Sequence, residues 1–122
     1  MKPGKLDFTI YQGSTFELPL RWGTTYDYID LTGVTAKLQI RESLESPVVI
    51  LELTTENGGI TLGDTVETKG KITLYLEAAA TSALDFDKGF YHLELYFPRD
   101  ALPDRVDRIL EGEVVLSKEF VR

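Results

Sequence analysis

From Thr15 to Trp22 the chain alternates strictly. Phe16, Leu18, Leu20 and Trp22 fall in one phase, and Thr15, Glu17, Pro19 and Arg21 in the other. Alternation with period two sends every second side chain to one face of a sheet, so this run predicts a half-buried strand. VTAKLQIRES repeats the pattern most cleanly, with Val34, Ala36, Leu38 and Ile40 opposite Thr35, Lys37, Gln39 and Arg41. Ile72, Leu74 and Leu76 form a third such set, and Tyr91, Leu93, Leu95 and Phe97 a fourth. Near the C-terminus Leu110, Val114 and Leu116 share a phase with Gly112, against Glu111 and Glu113. Less regular strands are expected around Leu6–Tyr11, Val48–Thr54 and Ile60–Leu62. In the middle one, Val48 and Ile50 are apolar in the phase opposite Val49, Leu51 and Leu53, which predicts a strand covered on both sides, with the Val48/Ile50 face at a subunit contact.

Between these runs stand Gly23, Asp30 to Gly33, Ser46-Pro47, Asn57 to Gly59, Lys69-Gly70, Lys88-Gly89 and Pro98 to Pro103. Glycine supplies positive φ, proline fixes φ, and Asn or Asp bonds its own backbone, so each cluster is a mechanistic stop. Seven or eight short strands at this spacing predict an all-β, antiparallel, immunoglobulin-like sandwich. Ala78, Ala79 and Ala80 favour one helical turn within Glu77–Leu84, crossing between sheets. Pro19 cannot donate a ladder hydrogen bond, which puts its strand at a sheet edge or a bulge. No internal repeat or linker divides the chain, and residues 1–122 are expected to form a single β-sandwich domain.

Composition narrows the function. Thirteen Lys and Arg against twenty Asp and Glu leave a net charge of −7, which opposes nucleic-acid phosphates and anionic membranes and favours solubility. There is no cysteine, so disulfides, thiolate metal sites and cysteine nucleophiles are excluded together. No apolar run approaches the roughly 18 residues of a membrane span. MKPGKLDFTI has two lysines but no following apolar stretch, so no signal peptide is expected.

Motifs for chemistry fail on context. Asn57-Gly58-Gly59 could suggest a phosphate cradle, but Ile60-Thr61-Leu62 reads as a strand where a helix would be required. Asn-Gly between β-like runs predicts a hairpin turn instead. Asp85-Phe86-Asp87-Lys88-Gly89 resembles a calcium loop superficially, yet glycine falls at the fifth place and the twelfth is Tyr96. His92 is the single histidine and has no nucleophile or orienting partner in a catalytic frame, so it reads as a surface or interface residue. Neither an enzyme nor a bound cofactor or metal is expected. The aromatics remain: Tyr26 and Tyr28 in GTTYDYIDLTG, with Tyr11 nearby in sequence, suit a protein interface or sugar stacking, whereas Trp22 is in phase with the core.

Several phrases fit together across nearly the whole chain. FTIYQGSTFELPLRW, IDLTGVTAKLQIRES, ILELTTENGGITLGDT, GKITLYLEAAATSALDF, FYHLELYF and RILEGEVVLSKEFVR resemble a small protein encoded among tailed-bacteriophage structural genes. The motifs that carry the resemblance are Tyr11–Phe16, Asp30–Arg41 and Glu111–Ser117. The group is also similar to the immunoglobulin-like N-terminal domain of phage baseplate upper proteins. Val34 departs from the aromatic common after the LTG segment, and Lys118-Glu119-Phe120 from the usual ending. The resemblance implies a non-enzymatic virion component of the tail, baseplate or neck, assembled in the host bacterial cytoplasm. Its partners would be other phage virion proteins and copies of itself in an oligomer or ring, with neither nucleic acid nor membrane. The expected interface anchors are Tyr11, Tyr26, Tyr28, Val48 and Ile50. A capsid decoration protein and a carbohydrate-binding sandwich are the alternatives.

Overall fold

A computed structural model of the chain describes residues 2–23 and 27–119. Its strands are β1 (Gly4–Lys5), β2 (Phe8–Tyr11), β3 (Phe16–Arg21), β4 (Thr35–Arg41), β5 (Leu51–Thr54), β6 (Ile60–Leu62), β7 (Lys71–Leu76), β8 (Lys88–Arg99) and β9 (Leu102–Ser117), with one short helix, α1 (Ala78–Ser82), between β7 and β8. One sheet runs β1-β9-β8-β4-β5, with β2 also on β9, and the other runs β3-β7-β6. The alternation read from sequence is the reason they pack. Ala36, Leu38 and Ile40 of β4, and Tyr91, Leu93 and Leu95 of β8, all face inward and are buried. From the other sheet they meet Phe16, Ile72 and Leu74. Each fully buried Leu or Ile here contributes about 1.5–3 kcal/mol relative to exposure. The chain is an all-β sandwich, and α1 crosses between its sheets.

The sheets are not wholly antiparallel. β1 and β2 run parallel to β9, in one register from Gly4 opposite Leu110 to Tyr11 opposite Ser117. Gly112 makes this approach possible, because a Cβ there would run into the Leu6 carbonyl. The same carbonyl accepts a 2.6 Å hydrogen bond from the Tyr91 hydroxyl, and the Phe8 ring lies 4.9 Å from the Tyr91 ring. Burial raises the Tyr91 pKa above the usual phenolic value, with Asp7 and Glu111 adding to the effect, so the hydroxyl stays a donor.

Three expectations are corrected. Asn57-Gly58-Gly59 does not close a hairpin: β5 pairs with β4 in one sheet and β6 with β7 in the other, so the segment carries the chain between sheets. The Asn57 side chain holds this corner, its Oδ1 accepting from the N–H groups of Thr54 and Gly59 and its Nδ2 donating to the Glu52 carbonyl. Second, the strand expected over Val48–Thr54 is shortened to Leu51–Thr54. Pro47 lacks an N–H and the Val48 N–H bonds the Ser46 hydroxyl, which diverts this segment from the ladder. Third, Pro98 to Pro103 is not a loop. β8 continues to Arg99, β9 starts at Leu102, and only Asp100-Ala101 turns. Pro19 behaves as expected, on edge strand β3 opposite Thr73.

Candidate protein interface

β8 sits in the middle of the large sheet, and its outward phase is Phe90, His92, Glu94 and Tyr96. The strand register sets these residues in rows with their neighbours. Glu113, Phe90 and Arg41 form one row; Glu111, His92, Gln39 and Glu52 the next; Arg108, Glu94 and Lys37 a third. Side chains directly opposite one another on a sheet face interact, so each row is a unit of contact. Gln39 donates to Glu52 at 2.6 Å, Arg41 to Gln39 at 3.1 Å and Tyr96 to Glu94 at 3.2 Å. Arg108 lies 3.5 Å from Glu111, and Lys88 lies 3.7 Å from Glu113. The result is a half-buried polar face around a Phe-His-Tyr stripe. Shallow depressions flank His92, and the exposed Leu44 borders both.

Partial burial, helped by the Arg108 charge, pushes the His92 pKa below its ordinary value, so the ring is neutral at pH 7. A neutral imidazole could act as a base, and a base works through hydrogen bonds to an orienting partner and a substrate. Among the described residues, no side-chain hydrogen bond holds the His92 ring. The residues beside it are Glu111, Gln39 and a field of paired charges. Among the described residues, no cluster of His, Cys, Asp or Glu is placed to hold a metal ion. No helix among them is long and apolar enough to cross a membrane. The arrangement is chemically suited to contact with a complementary surface.

The residues expected as anchors do not converge. Tyr11 is 62% exposed at the end of β2, where it pairs with Ser117. Val48 is 66% exposed in the β4–β5 connection, at the same end but across the sheet. Ile50 is half-buried against the core, its N–H bonded to the Ile40 carbonyl, so the two do not form one exposed strand face. Tyr28 lies at the opposite end, in the β3–β4 connection, with the Arg21 guanidinium 4.0 Å over its ring. Tyr26 lies outside the described residues. Phe90 and Tyr96, which the sequence reading did not single out, sit at the two ends of the stretch of β8 that pairs with β4, on the outer face of the large sheet. Their signal was present as the second phase of FYHLELYF, where aromatics occupy both faces of the strand.

β9-β8-β4-β5 facing β3-β7-β6 is the strand order of an immunoglobulin-like sandwich. No protein-family model and no curated protein matches the chain. Among solved structures, it is similar to the extracellular domain of the voltage-gated sodium channel beta4 subunit, described as forming parallel homodimers with a role in cell-cell adhesion. The identity is 14%, the TM-score 0.44, and the match covers 98% of this chain and 97% of that one.

Proposed function

We propose that the chain is a non-enzymatic structural module of a tailed-phage virion, working in the tail, baseplate or neck by protein–protein contact. The observation that carries the contact reading is the outer face of the large sheet, where paired charges flank Phe90 and His92 and the Tyr96 hydroxyl bonds Glu94. Aromatic anchors within a polar, water-excluding rim are the usual composition of a protein interface. The phage setting is supported by the phrases from Tyr11–Phe16 to Glu111–Ser117 that resemble a small protein encoded among tailed-bacteriophage structural genes. Sugar stacking, the competing reading, is weakened because Arg21 already covers one face of Tyr28.

The test is mass spectrometry of particles purified from the phage or induced prophage that encodes the chain, in parallel with a Phe90→Ala/Tyr96→Ala variant. The expected result is the wild-type chain at a fixed ratio to the tail proteins, and a variant that folds but is depleted from particles. Particles that lack the wild-type chain, or that retain the variant at full occupancy, would refute the proposal.

A further inference from the structure

Beyond Tyr96 and Val106 the β8–β9 hairpin leaves the body of the sandwich as an arm. β4 accompanies β8 only from Phe90 to Tyr96, and β1 joins β9 only from Leu110 onward. Residues Leu102 to Ile109 of β9 thus have β8 on one side and, among the described residues, no strand on the other. An open edge is a row of unpaired N–H and C=O groups, a ready template for a further strand. The other edges are guarded: β3 carries Pro19, β5 and β6 are short, and Pro98 interrupts the β8 side of the arm, while on β9 Pro103 bounds the open stretch and leaves Asp104 to Arg108 free of proline.

The open edge carries a specific sequence, Asp104-Arg105-Val106-Asp107-Arg108. Laid antiparallel against a second copy of itself about Val106, it sets Asp104 opposite Arg108, Arg105 opposite Asp107 and Val106 opposite Val106. Every charge meets its opposite, and two opposed arms balance to zero within a chain of net charge −7. Val106 is 47% exposed and Leu102 59%, so these two apolar side chains of the arm are uncovered within the chain. The arm is pre-shaped for the contact. Arg105 is held by Asp107 at 3.2 Å and lies over the Phe97 ring, while no ion pair reaches Asp104 among the described residues.

We propose that β9 pairs with β9 of a second copy of this chain, antiparallel and two-fold symmetric about Val106, to make one sheet continuous across a dimer. This deepens the contact reading by naming a partner and a surface. The two can fail separately, since a chain that never self-associates could still join other virion proteins through its outer face.

The test uses sedimentation velocity of the whole chain at low ionic strength, over a concentration range spanning about micromolar, where a small edge-to-edge interface is read. The wild type is expected to dimerise with rising concentration. Arg105→Glu/Arg108→Glu makes the arm wholly acidic, Asp104→Lys/Asp107→Lys wholly basic. Each should weaken self-association by about tenfold or more, because like charges directly opposite repel. An equimolar mixture of the two should restore the dimer. Because the chain has no cysteine, a Val106→Cys variant supplies a second reading that leaves the arm charges intact. Directly opposed strand residues have Cβ atoms about 4.5–5.5 Å apart, so mild oxidation should link this variant to itself. A Val115→Cys variant, exposed on β9 outside the arm, should stay unlinked. A wild type that remains monomeric, charge variants that dimerise as well as it does, a mixture that fails to associate, or equal cross-linking at the two cysteine positions would each overturn the pairing.

Discussion

Replacing Thr81 with valine removes one oxygen and keeps the shape of the side chain. Thr81 is fully buried in the short helix α1. Its Oγ1 accepts from the Gly13 N–H at 3.0 Å and donates to the Ser14 carbonyl at 2.8 Å, with the Ala78 carbonyl at 3.1 Å as a second acceptor. That one hydroxyl fastens the helix joining the two sheets to the turn between β2 and β3. A net hydrogen bond is worth about 1 kcal/mol, and stranding its partner away from water costs about 1–3 kcal/mol more. Two bonds lost, with Gly13 and Ser14 only partly able to find water, set the expected cost at about 3 kcal/mol. For 122 residues, an unfolding entropy of about 2.1 cal/mol/K per residue turns that into a fall in Tm of about 12 °C. Thr81→Ser keeps the hydroxyl and deletes one methyl group, a loss of about 1 kcal/mol. Calorimetry and urea titration of the three proteins give the comparison. If Thr81→Val proves no less stable than Thr81→Ser, the hydroxyl does not fasten the helix and the reasoning fails.

Two further expectations follow from single residues. His92 is the chain's one histidine, so its ring signals in a proton NMR titration need no assignment; they should show a midpoint below the ordinary value of about 6.5. A lowered pKa in the folded state means the unfolded chain binds more protons, so stability is intact above about pH 6.5 and declines as pH falls through the folded pKa. A midpoint at or above the ordinary value would contradict the burial of the ring. At the tip of the arm, Ala101 holds φ of 57°, a conformation that glycine adopts without strain, so Ala101→Gly should raise stability by about 1 kcal/mol, measured by denaturant unfolding. A loss of stability in that variant would show that the turn is not under backbone strain.

What could be read in the sequence was which face each strand buries. Alternation fixes that locally, and β4 and β8 turned their apolar phases inward as their patterns required. Partner choice was far less legible, because it depends on residues distant in the chain. Asn57-Gly58 has the chemistry of a hairpin, yet β5 pairs with β4 and β6 with β7, in different sheets. Ile109 is another case. It is the extra residue between Leu110, opposite Leu93, and Arg108, opposite Glu94, so the phase of β9 breaks at a bulge that the pattern from Leu110 to Leu116 does not announce. The arm escaped notice because two prolines near its tip read as a loop. The outer face of the large sheet was passed over for a related reason. Phe90 and Tyr96 stand in the polar phase of a strand whose other phase is conspicuously apolar.

The parallel seam of β1 and β2 along β9 also sets an order of events. The backbone N–H of Glu113 bonds the carboxylate of Asp7 across 106 positions of sequence, so β1 and β2 have no partner until β9 has been made. Closing so long a loop is slow compared with forming the hairpins between. During that interval the β9 edge is bare along its whole length, from Leu102 to Ser117, and not only along the arm. The N-terminal strands therefore act as a late cover, narrowing a sixteen-residue adhesive edge to the short stretch whose charges select their own mirror image.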